Sequence, residues 1–225
     1  IQEALTAAFG TGTVQLPDLV RVPVMDSGEP VVNISAPGGQ GYLLMVSPLP
    51  ELKTDRERAA AVLWASRISN RIAFQLREKE GLAYSIGAAI SDMGGREYLS
   101  IHMGTGPETV AAAAKRIPEM IDMLRTEAVD EDELTRLKNS VLISRRMRRL
   151  MNINKAFFVG LDILHGVAPG QDERIDAALA GVTGVDMKQA MDTIGKTFLT
   201  LQVNAGAKVE KPTGMKGMPM GMPGR

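Results

Sequence analysis

The run Leu76-Arg77-Glu78-Lys79-Glu80-Gly81-Leu82-Ala83-Tyr84-Ser85 constrains what this chain can fold into more than any other stretch. Residues up to Glu80 are strong helix formers, and Gly81 supplies the left-handed residue that commonly closes a helix. Leu82 to Ile90 then reads as extended chain. The run is therefore a helix that turns sharply into a strand. Arg77 falls in the last helical turn and Tyr84 a few residues into the strand, so a guanidinium and a phenol flank one tight corner. Five fixed donors and a hydroxyl in such a place suit a carbonyl or a carboxylate. A plain structural role fits the spacing too: Arg77 pairs with Glu80 or caps helix-end carbonyls, and Tyr84 packs at a sheet edge.

Around this corner the pattern predicts hairpins and helical runs. Val31 to Ala36 and Tyr42 to Ser47 are β-rich and separated by Pro37-Gly38-Gly39-Gln40-Gly41, a hairpin with a loose turn. Thr54 or Asp55 offers an N-cap to a helix over Arg56 to Ser66, with a break expected at Ser69-Asn70 before Arg71 to Glu80. A second hairpin joins Leu82–Ser91 to Arg96–Gly104. Pro107 opens a helix to about Glu127 that Pro118 should kink or divide, since an interior proline costs roughly 3 kcal/mol. Asp130 and Glu133 have capping-box spacing for a helix to about Leu150. Helices over Asn152–His165, Asp172–Leu179 and Asp186–Lys196 follow, and a strand over Phe198–Ala205 comes last.

Strands in hairpin pairs and helices in runs indicate an α+β fold, not alternating βαβ units. The economical architecture is a two-layer sandwich: a mostly antiparallel sheet of about five strands with helices packed on one face. Residues 1–10 read as a short helix closed by Gly10, 11–28 as a linker, 29–208 as the domain itself, and 209–225 as a flexible Met/Gly/Pro tail.

Composition excludes more than it selects. The 225 residues carry 26 Lys+Arg against 26 Asp+Glu, so no net charge draws the molecule to nucleic acid or anionic lipid. No apolar run approaches the roughly 20 residues of a membrane span. There are no cysteines, which removes disulfides and thiolate metal sites, and the compartment stays open between a bacterial periplasm and cytoplasm. The densest basic run, Arg145, Arg146, Arg148 and Arg149, reads as a solvated surface or a contact with acidic residues of another subunit. Gly104-Thr105-Gly106-Pro107-Glu108 lacks the Gly-Lys-Ser/Thr ending of a phosphate loop and puts a carboxylate where an anion would sit.

The pattern Arg77-x-x-x-Gly81-Leu82-x-Tyr84 resembles the signature of the second, non-zinc half of the pitrilysin/insulinase-type zinc metallopeptidases, the superfamily of mitochondrial processing peptidase. Asn70 to Arg77 looks like that family's Ser-Arg-Leu-Phe-x-x-Leu-Arg helix. Gly104 to Glu108 is similar to its strand-to-helix joint, Asp130 to Leu134 to the start of its long helix, and Val182 to Asp186 to the entry of its last. The likeness spans roughly residues 30 to 206, and it implies that the helix over residues 1–10 is the remnant of a preceding domain. It implies that Arg77 and Tyr84 are catalytic residues reaching from the non-zinc half to hold the scissile peptide, with Gly81 and Leu82 binding substrate. It also implies a zinc-bearing homologous half, on the same polypeptide or a separate subunit, and a peptide substrate.

The family's His-x-x-Glu-His zinc helix is absent. The only histidines, His102 and His165, cannot form it, so no metal is expected in this chain and zinc is expected in the partner half. The alternative is a catalytically inactive scaffold or assembly subunit of the same superfamily.

Overall fold

The computed structural model describes residues 31–205 other than 37, 93–95, 165 and 167, with Glu3 and Ala7 besides. Apart from those two positions, the expected helix over 1–10, the linker 11–28 and the tail 209–225 lie outside these residues, as does His165. The elements run β1 (Val31–Ala36), β2 (Gly41–Pro48), α1 (Asp55–Ile72), a π-helical segment (Ala73–Lys79), β3 (Ala83–Asp92) and β4 (Glu97–Thr105). Then come α2 (Val110–Thr126), α3 (Glu131–Arg148), α4 (Asn152–Leu164), α5 (Gln171–Leu179), α6 (Gly184–Thr193) and β5 (Leu199–Ala205).

The strands form one open sheet in the order β1-β5-β2-β4-β3. Pairing is antiparallel except between β1 and β5, which run parallel. The hairpin expected from β3 and β4 forms, with Asp92 opposite Glu97. The hairpin expected from β1 and β2 does not, because β5 lies between them and pairs with both. The spacing between Ala36 and Gly41 is longer than the two-residue connection that would fix a hairpin register, and the partner of β1 comes from the far end of the chain.

Alternation along the strands separates two faces. Leu43, Met45, Leu99, Ile101 and Met103, none more than 1% exposed, point into the helical layer. The register puts Val32, Ile34, Tyr42, Leu44, Leu201 and Val203 together on the opposite face. No helix covers that face among the described residues, and Val32, Ile34 and Tyr42 are 39%, 44% and 41% exposed. The architecture is thus the expected two-layer α+β sandwich.

The helix break expected at Ser69-Asn70 is absent: α1 runs on to Ile72 and passes directly into the π-helical segment. Ala60, Trp64, Ile68, Ile72 and Leu76 recur every four residues, and each is at most 2% exposed. Burial of that stripe outweighs two residues of modest helix propensity. Pro118 likewise leaves α2 a single helix, because Ile117 and Ile121 on either side of it are fully buried. Thr54 and Thr183 cap α1 and α6 in capping boxes with Glu57 and Asp186, and Asp130 caps α3 by accepting from the Glu133 amide at 2.6 Å.

Candidate functional site

The Arg77–Tyr84 corner is built from three departures from regular geometry. The first is the π-helical segment that carries Arg77. A stripe repeating every four residues overshoots an α-helical turn of about 3.6 residues. A widened i→i+5 turn corrects the phase and returns Leu76 to the core. The Glu80 amide accordingly bonds back to the Gln75 carbonyl at 3.2 Å and the Leu82 amide to the Leu76 carbonyl at 2.8 Å. The helix thus closes with a glycine cap one residue longer than the ordinary one.

The second departure is Gly81, at φ +63°, where an added Cβ would meet no atom within 4 Å. Glycine is required there by backbone conformation and not by space. The third is a β-bulge: Ala83 faces Thr105 and Ser85 faces Gly104, which leaves Tyr84 as the inserted residue. Such an insertion re-aims the side chain it carries.

Both side chains are solvent-facing. Arg77 is 49% exposed, and Tyr84 is 67% exposed. Arg77 donates from Nε and Nη2 to the neighbouring Glu78 carboxylate at 2.9 and 2.7 Å. It does not pair with Glu80, whose carboxylate accepts from Arg116 and from the Gln75 amide at 2.6 Å each. The Leu82 side chain packs against the core and its carbonyl accepts from the Thr105 hydroxyl, so Leu82 anchors the corner from below. Arg77, Gly81, Leu82 and Tyr84 thus belong to one helix-to-strand corner, with the Arg77 and Tyr84 side chains both exposed.

His102 is exposed on the uncovered sheet face, opposite Leu44 and Gly87. Among the described residues, no group of three or more His, Cys, Asp or Glu could hold a metal ion. The basic run near Arg145 is a solvated surface only in part, at the exposed Arg146 and Arg148. Arg145 and Arg149 are buried and paired with Asp172 and Asp176, tying α3 to α5. Arg148 stacks over Phe158, 5.7 Å from the ring centroid.

Sequence reasoning passed over Arg67. Only 4% exposed, it donates to the carbonyls of Leu124, Glu127 and Ala128 and to the Glu133 carboxylate. One guanidinium thereby caps the end of α2 and holds the start of α3 against α1. Its sequence signal was an arginine three residues beyond Trp64, in the phase of the apolar stripe.

The chain belongs to the peptidase M16 inactive domain family, whose model matches residues 6–141. No curated protein matches it. Similar solved structures include a peptidase M16 inactive domain from Pseudomonas fluorescens, with 17% identity, a TM-score of 0.62, and coverage of 78% of this chain and 43% of that one. A protease from Helicobacter pylori shows 11% identity and a TM-score of 0.69, covering 90% of this chain and 51% of that one. The periplasmic protease PqqL from Escherichia coli shows 12% identity and a TM-score of 0.61, covering 78% and 20%. These likenesses show the fold, and the chain spans about half the length of these proteins or less.

Proposed function

We propose that this chain is the non-zinc half of a zinc-dependent endopeptidase, and that Arg77 and Tyr84 grip the substrate backbone beside a zinc site carried by a homologous partner half. The observation that carries this reading is the corner itself. A π-turn, a left-handed glycine and a β-bulge fall within Ala73–Ser85, and between them they turn an arginine and a tyrosine out to solvent. Irregularities of this kind concentrate at functional sites. A merely structural helix end would not need the inserted Tyr84.

The partner half would supply the metal-activated water and the glutamate base. The residues of this chain do the binding and orienting. The Arg77 guanidinium and the Tyr84 hydroxyl donate to the peptide carbonyl, whose oxygen gathers charge during attack. Gly81 and Leu82 form the backbone over which the peptide passes. Glu78 holds the Arg77 guanidinium at rest and releases it to the substrate. The uncovered sheet face with Tyr42, Leu44 and Val203 would form a wall of the substrate chamber, and an extended peptide would add along a sheet edge.

The test is to combine the chain with its matching zinc half and follow peptide turnover. Arg77→Ala and Tyr84→Phe should each lower kcat by about 10²-fold, the usual effect of removing one preorganised donor. Unchanged turnover in both variants would leave the chain a scaffold subunit.

A further inference from the structure

The end of β4 carries a polar side chain where the alternation calls for an apolar one. Leu99, Ile101 and Met103 point into the helical layer, and Thr105, next in that series, is fully buried with them. Its hydroxyl donates to the Leu82 carbonyl, just ahead of the Ala83–Ser85 bulge that carries Tyr84. The same hydroxyl meets that of Thr109 at the start of α2.

Thr109 is the N-cap residue of α2, yet its side chain makes no capping bond to that helix. A threonine in that position ordinarily accepts from an amide of the first turn. Here the hydroxyl lies 2.8 Å from the Gly106 carbonyl and against Thr105 instead. The Gly106 carbonyl already accepts from the Thr109 amide at 3.0 Å. Two hydroxyls carry two protons, and one assignment serves both the Leu82 carbonyl and the contact between the threonines: Thr109 donates to Thr105, and Thr105 donates to Leu82. Packing enforces the approach. Gly41 lies opposite Thr105 in the sheet, and a Cβ there would collide with Val110 and stand 3.0 Å from the Pro107 Cα. The start of α2 therefore rests directly on the end of β4.

We propose that Thr105 and Thr109 are positioning residues for the Arg77/Tyr84 corner. Their paired hydroxyls tie the Leu82 carbonyl to the first turn of α2 and so fix where the bulge presents Tyr84. A bulge leaves its inserted residue outside the regular ladder, and a tether beside it holds the orientation that the ladder does not. Thr105 is fully buried, so it acts through the backbone from Leu82 to Tyr84 and not on the substrate. The effect on turnover rests on the catalytic reading of Tyr84 above, whereas the placement of the bulge is a property of this chain alone.

The experiment compares Thr105→Val, which removes the hydroxyl at nearly constant shape, with Thr105→Ser, which keeps it. In the isotope-labelled chain, the amide NMR signals of Ala83, Tyr84 and Ser85 should move or broaden in Thr105→Val and return toward their wild-type positions in Thr105→Ser. With the matching zinc half added, Thr105→Val should lower kcat about tenfold with KM little changed, because Tyr84 acts on charge that grows during attack. Thr105→Ser should restore most of that loss, and Thr109→Val should lower kcat about threefold. Thr105→Val combined with Tyr84→Phe should be no slower than Tyr84→Phe alone, since both remove the same contact. Unmoved signals in Thr105→Val, no rescue by Thr105→Ser, or effects that multiply in the double variant would overturn the assignment. If Tyr84→Phe itself leaves turnover unchanged, the catalytic reading falls separately, and the NMR comparison alone decides whether Thr105 places the bulge.

Discussion

At the scale of single residues, the molecule depends on guanidinium groups placed where helices end. Arg67 satisfies carbonyls at the close of α2, and Arg125 does the same for Ile194 and Gly195 after α6, at 2.8 and 2.5 Å. The Trp64 indole donates to the same Ile194 carbonyl at 3.3 Å, and Arg125 lies over its ring. Arg67→Ala removes the shared donor of the Leu124, Glu127 and Ala128 carbonyls and the Glu133 carboxylate and should cost about 1–3 kcal/mol, read as a lower denaturant midpoint. Arg67→Lys should recover little of the loss, since one ammonium cannot reach the Leu124, Glu127 and Ala128 carbonyls and Glu133 together. Gly81 is the other position where one residue decides the local structure. Gly81→Ala forces a Cβ into the left-handed region and should cost about 1–2 kcal/mol, with Gly81→Asn milder. Thermal unfolding of the two variants separates this conformational cause from a packing cause, because the space around Gly81 is empty.

At the scale of elements, the caps report on pH. Burial pushes the Asp186 carboxyl up, but hydrogen bonds from Arg56 and Thr183 outweigh it and hold the group at about 2. Arg56 binds it from Nε at 2.9 Å and Nη2 at 2.6 Å, so one carboxylate both caps α6 and joins it to α1. Asp186 is harder to protonate folded than unfolded. Its stabilisation is therefore complete above about pH 4, near the unfolded carboxylate value, and is lost as pH falls toward 2. Asp186→Asn should reduce stability at neutral pH by about 1 kcal/mol and flatten the acid limb of the stability curve. A urea midpoint that still fell between pH 4 and pH 2 as steeply as in the wild type would show that another group controls that limb. The elements themselves were largely legible: hydrophobic period, caps and closing glycines located every helix after Pro107 to within a few residues. A misreading arose where tertiary burial overrode a local signal, at Ser69-Asn70, and of the two outcomes expected at Pro118 the division of the helix does not occur. The π-turn was not legible, since a four-residue stripe is compatible with an ordinary helix until Leu76 must also meet the core.

At the scale of the whole molecule, stability is unevenly distributed. α1 lies at the centre with Leu63, Trp64 and Ile68 fully buried, whereas α4 has no buried residue, and Ile153 and Phe157 on it are 71% and 59% exposed. Amides of α1 should therefore exchange with solvent only on global unfolding, and those of α4 by local opening several kcal/mol below it. Native-state hydrogen exchange checks this; equal protection in the two helices would mean that another surface covers α4. Phe157→Lys should change the free energy of unfolding by no more than about 0.5 kcal/mol, as an exposed site predicts, read as a nearly unchanged urea midpoint.

The sequence by itself determined the fold class, the helix-to-strand corner and the family likeness, because these rest on local propensities and on short motifs whose residues are neighbours in the chain. Only the tertiary structure decided that β5 inserts between β1 and β2, that Arg145 and Arg149 turn inward to Asp172 and Asp176, and that the Thr109 hydroxyl meets Thr105. Those outcomes depend on which distant groups meet, and burial and charge pairing choose among partners that no spacing along the chain can rank.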